Sequence, residues 1–84
     1  MGRPHRTVLT FEYDTTEHAR RVERSIRPEL GDIDGDRSAA TVDRDGATLS
    51  VTVAGDDLTA LRAGLTTWTG LVAVAERTGG AVDV

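Results

Sequence analysis

The chain has 84 residues, no cysteine, and 14 acidic against 10 basic side chains, for a formal net charge of -4. That length holds one domain spanning 1–84, with an ordered core expected over about residues 6–78, and leaves no room for a second. The missing cysteines exclude disulfides, thiolate metal sites and a thiol nucleophile.

Every base is Arg, and nine of the acids are Asp. An Asp-rich, Lys-free surface stays hydrated where concentrated salt strengthens apolar association, so a halophilic setting is expected. Apolar runs are short and interrupted, and no membrane span is expected. The opening Met-Gly-Arg-Pro-His-Arg lacks the apolar segment of a secretory signal, so a cytoplasmic protein is expected. A domain of this size buries only about 60–65% of its unfolded surface, so association with a partner stabilises it.

Thr7 to Tyr13 alternates, with Leu9, Phe11 and Tyr13 on one side, which predicts a half-buried strand. Asp14 is placed to cap a helix, with Glu17 three residues on as in a capping box. Ala19, Val22, Ile26 and Leu30 then recur at helical spacing, and Pro28 ends or distorts that helix. Gly31 to Asp36 is a polar turn region. Ser38–Val42 and Ala47–Val53 are predicted strands, joined by the hairpin signal Asp45-Gly46. Asp56 and Asp57 sit at the positive end of a second helix. Leu58, Leu61, Leu65, Trp68, Val72 and Ala75 form its main seam, and Thr78-Gly79-Gly80 its expected end. The predicted fold is α+β, in the order β-α-β-β-α: a three-stranded antiparallel sheet with both helices packed on one face.

No catalytic constellation emerges, and no enzyme activity is expected. His5 and His18 lie in different elements, without metal-site spacing, and read as solvated residues. Asp32-Ile-Asp-Gly-Asp resembles part of a calcium loop but has Asp43 where the bidentate Glu belongs, so it reads as a solvated acidic loop. No metal and no cofactor is expected.

Two features remain. On the first helix, Glu17 can pair with Arg21 and Glu23 with Arg27 at four-residue spacing, leaving Arg20 and Arg24 as like charges on one side. With Arg3 and Arg6 they are the candidates for phosphate contact. No aromatic is interleaved for base stacking, so such contact would carry little sequence information. The alternative is a solvated helix face. On the second helix, Ala60, Ala63, Gly64, Thr67, Leu71 and Val74 form a flank beside the main seam. This flank is expected to face a partner's helices, with small residues permitting close approach. The alternative is loose core packing.

A strand ending Phe11-Glu12-Tyr13, a helix ending Pro28-Glu29, Arg37-Ser38 opening a strand, and Asp57 followed by Leu61-Arg62-Ala63 together resemble the Pcc-type small subunit of the KEOPS tRNA-modification complex. The resemblance spans roughly residues 6 to 78 and rests on order and spacing. It implies a non-catalytic assembly and dimerisation subunit. Such a subunit docks its two helices on the KEOPS catalytic subunit, joins two copies of the complex and contributes to contact with tRNA. The complex installs threonylcarbamoyladenosine beside the anticodon. Where the family usually has Asn-Ser, a large apolar residue and often Arg, this chain has Thr66-Thr67-Trp68-Thr69. Trp68 keeps the apolar position. The resemblance fits either a homodimeric main subunit or a diverged paralogue that pairs with one, from a halophilic archaeon. The competing reading is a free-standing small RNA-binding module, which the acid excess and missing surface aromatics disfavour.

Overall fold

The structure is a computed structural model that describes residues 3–30 and 37–82, with side chains described as far as Thr78. Its elements are β1 (His5–Glu12), α1 (Thr16–Ile26), a 3-10 turn (Arg27–Glu29), β2 (Ser38–Asp45), β3 (Thr48–Gly55) and α2 (Leu58–Val82). The strands form one antiparallel sheet in the order β1-β3-β2, so the last strand is central. Asp32–Asp36, weighed above as a calcium loop, lies outside the described residues.

Alternation along the strands sets the two faces of the sheet. Leu49, Val51 and Val53 of β3 are fully buried. Leu9 and Phe11 of β1 pair with Val51 and Leu49, and Ala40 and Val42 of β2 pair with Val53 and Val51. Both helices pack on this apolar face, contributing Ala19, Val22 and Ile26 from α1 and Leu61, Trp68, Val72 and Ala75 from α2. The expected α+β architecture is therefore the observed one.

Local chemistry sets the boundaries, with shifts of a residue or two. The α1 cap is Thr15 and not Asp14: the Thr15 hydroxyl accepts a bond from the His18 N–H at 3.0 Å. Glu17 then stands one place too early for the reciprocal bond of a capping box. At the hairpin, Asp45 still pairs with Thr48, so the two-residue loop is Gly46-Ala47. Gly46 has φ 62, and among the described residues no other has positive φ. A glycine of positive φ at the first loop position is the pattern of a type II′ turn. Asp57 caps α2 by accepting from the Ala60 N–H at 2.8 Å, and it also pairs with Arg37.

One expectation about α2 is corrected. The helix does not end at Thr78-Gly79-Gly80 but runs to Val82, and the closing Asp83-Val84 lies outside the described residues. Its stretch Leu58–Thr78 is also long and apolar enough, by length and composition, to cross a membrane (mean hydropathy 1.2). In this fold one side of that stretch covers the sheet.

Candidate functional site

The way α2 sits on the sheet decides which residues are left for a partner. The expected seam held for Leu61, Trp68, Val72 and Ala75, all buried, with Trp68 only 2% exposed. It failed for Leu58, which is 57% exposed, while Leu65 is half-buried and packs against the core. Ala60 and Gly64 also face inward. A Cβ built on Gly64 would lie 2.7 Å from Val53 Cγ1, so the absence of a side chain there lets the helix lie close to the central strand. The helix is turned slightly from the expected orientation, toward Ala60 and Gly64. The reason is bulk. Trp68 fills the deep space over the sheet, and Gly64, one turn before it, lets the backbone descend.

The expected partner flank therefore divides. Ala60 and Gly64 belong to the helix–sheet contact and are corrected. Ala63 and Thr67 are exposed, Val74 is 51% exposed and Leu71 is half-buried. Leu71 and Val74 line a groove of about 180 Å³ between the C-terminal ends of the two helices, with Ser25 and Ile26 on its α1 side. This groove could not be read from either helix alone, because its two walls come from segments some fifty residues apart in the chain.

The arginines do not form one stripe. Arg6 alternates away from Leu9 and Phe11 and lies on the open sheet face, where it and Arg3 border a depression over Thr41, Thr52 and Ala54. Arg20 and Arg24 lie on α1, on the opposite side of the sheet. Arg3 pairs with Asp56 at 2.6 Å. Arg20 pairs with Glu17 at 3.3 Å, three residues away, in place of the expected Glu17–Arg21 pair. Arg24 is exposed in the last turn of α1, where a cation complements the helix dipole. The four-residue spacing read from the sequence gave Glu17 to Arg21 and left Arg20 without a partner, whereas the structure uses the three-residue spacing.

Glu23 is a charged hub that spacing showed only in part. It accepts from Arg27 Nε at 2.9 Å, as expected, and also from Arg44 Nε at 2.7 Å. Arg44 sits on β2 with its side chain on the helix side, so this pair ties α1 to an edge strand. The Arg44 guanidinium bond, helped by Arg27, holds the Glu23 carboxyl below its ordinary range against the opposing effect of burial. A second tie joins β1 to α2: the Tyr13 hydroxyl donates to Glu76 Oε2 at 2.7 Å. Burial, then the Glu76 carboxylate, pushes the Tyr13 pKa upward. His18 is half-buried, its ring 4.8 Å from that of Tyr13, and His5 is half-buried on the helix side of β1. Neither is the solvated residue expected. Among the described residues, no group of three His, Asp or Glu side chains is placed to hold a metal ion.

A sheet covered on one side by two helices, with an apolar groove between the helices, charged groups engaged in structural ties and an open second sheet face, defines a small packing module. The family model described as "Transcription factor Pcc1" matches residues 6–79. The chain belongs to this Pcc1 family, whose members are small, non-catalytic KEOPS subunits. No match is found among curated proteins.

Proposed function

We propose that this chain is the assembly subunit of a KEOPS complex. In this reading it docks the outward faces of α1 and α2 on helices of the catalytic subunit, pairs with a second copy or a paralogue, and supports threonylcarbamoyladenosine modification of tRNA in the cytoplasm. The observation that carries it is the α1–α2 groove, where Val74 is 51% exposed beside half-buried Leu71. Isolated exposed apolar residues are ordinary, but a concave apolar surface shared by two helices fits an incoming helix. Ala63 and Thr67 extend the same side of α2 with small side chains, so a partner helix can follow it closely.

A contact with tRNA through Arg20 and Arg24 fits the same arrangement. Both are exposed on α1, and phosphate contacts carry affinity without sequence information.

Pull-down of the catalytic subunit by wild-type chain and by Val74→Asp tests the docking surface. The variant is expected to lose capture while melting within about 0.5 kcal/mol of wild type, as surface substitutions do. Normal capture by Val74→Asp refutes the assignment. Recovery of RNA without the catalytic subunit favours the free-standing RNA-binding reading instead.

A further inference from the structure

We infer that the depression at the Arg6 end of the open sheet face binds one small oxyanion of the phosphate class, gripped by Arg6 and Arg3 and by the hydroxyls of Thr41 and Thr52. None of these residues lines the α1–α2 groove, so the inference stands apart from the assembly reading.

The strand register builds the site. Arg6 of β1 stands opposite Ala54 of β3, which stands opposite Ala39 of β2. One outward step along the strands, Thr52 stands opposite Thr41. The two alanines leave low ground between a guanidinium and a pair of hydroxyls. The resulting depression has a volume of about 210 Å³. That is several times the roughly 30 Å³ of a water molecule in the liquid. It is below the roughly 300–1,000 Å³ of sites for larger ligands, and so suits a single tetrahedral oxyanion.

The donors suit it as well. The lining contains two guanidiniums, two hydroxyls and no carboxylate. Arg6 is exposed and, among the described residues, makes no ion pair. A guanidinium fork matches the edge of a phosphate group with two parallel hydrogen bonds. Arg3 is already held by its 2.6 Å pair with Asp56, so little of its freedom is lost when a ligand arrives. Each threonine hydroxyl can donate one further bond.

The rest of the face limits the size of the ligand. Glu12, Asp43 and Asp45 occupy outward positions toward the far end of the strands. Asp43, the nearest of them along the strands, lies roughly 13 Å past the row of Arg6, Ala54 and Ala39. That exceeds the Debye length of about 8 Å at physiological salt. A single anion beside Arg6 is therefore screened from these acids, whereas a polyanion laid along the strands meets them. The face thus favours a free phosphate or phosphate monoester over a nucleic-acid backbone.

Titration of inorganic phosphate into the full chain, against chloride at matched ionic strength, tests this by NMR amide shifts. Saturable movement of the Thr41, Thr52 and Ala54 amides is expected with phosphate and not with chloride. Arg6→Ala should weaken binding at least about tenfold, because hydrogen bonds between charged groups are lost, and Thr52→Val about threefold. Arg62→Ala, which removes an exposed guanidinium from α2, should leave binding unchanged. Melting curves recorded in parallel separate loss of binding from loss of fold. Arg6 is exposed, so Arg6→Ala decides the question even if Thr52→Val unfolds. No saturable shift, or equal losses in Arg6→Ala and Arg62→Ala, refutes the site and leaves the assembly reading untouched. Arg6-dependent retention of an RNA oligonucleotide that phosphate fails to displace assigns the face to nucleic acid and overturns the proposal.

Discussion

Two glycines in α2 make a controlled comparison. Gly64 and Gly70 lie in the same helix, and replacing either by Ala gains about 1 kcal/mol of helix propensity. Their surroundings differ. A Cβ at Gly70 meets nothing within 4 Å, whereas at Gly64 it would meet Val53 Cγ1 at 2.7 Å. Val53 is fully buried on the central strand, and as a β-branched residue it has little rotamer freedom with which to yield. Overpacking of this kind costs about 1–3 kcal/mol, so Gly64→Ala should come out neutral to about 2 kcal/mol destabilising. Gly70→Ala should stabilise by about 1 kcal/mol. For a domain this size 1 kcal/mol moves Tm by about 4–8 °C. Thermal and urea melts of the two variants should therefore separate by at least about 4 °C, with Gly70→Ala the higher. Adding Val53→Ala should relieve part of the cost at Gly64 and nothing at Gly70, giving a coupling energy in a double-mutant cycle. If Gly64→Ala melts as high as Gly70→Ala, the orientation assigned to α2 is wrong.

Trp68→Ala should cost about 3–5 kcal/mol, because a nearly fully buried ring leaves a cavity over the central strand; urea titration measures it, and a loss under 1 kcal/mol contradicts the packing. Glu23→Gln should cost about 1–3 kcal/mol at pH 7, since it replaces a carboxylate bonded to both Arg27 and Arg44. Its pH dependence has a definite sign: the folded-state carboxyl is held below its ordinary value of 4.5. The stabilisation is therefore complete above that value and is lost as pH falls through the lower folded-state value. Wild type should lose more stability than Glu23→Gln over that acid range, and parallel curves would count against the hub. Replacing Arg20 and Arg24 by Ala should weaken tRNA binding alike for all sequences and lower the salt slope by about two contacts; an unchanged slope in the assembled complex leaves them a solvated face.

The parts of this protein that were legible in its sequence are those governed by neighbours in the chain. Leu9, Phe11 and Tyr13, and likewise Leu49, Val51 and Val53, declare a strand and its buried side because strand side chains alternate whatever the rest of the fold does. Gly46 marked the hairpin because a tight turn needs positive φ there. Pro28 ended α1 because its ring removes a donor and restricts Arg27. The α+β class followed from the order of such segments.

What required the tertiary structure was the choice among partners that local rules leave equal. Helical spacing allowed the core of α2 to be centred on Leu58 and Leu65 or on Ala60 and Gly64. The depth of the Trp68 site and the nearness of Val53 turned the helix toward the glycine. Four-residue spacing likewise gave Glu17 to Arg21 where the fold pairs it with Arg20, and gave Glu23 its helix neighbour Arg27 without a hint of Arg44 across the chain. Arg6 and Arg20 looked like one basic feature until strand alternation and helix placement put them on opposite sides of the sheet. Identity and local period fixed which residues could be inside, while the volume to be filled and the distance between segments remote in the chain decided which of them were.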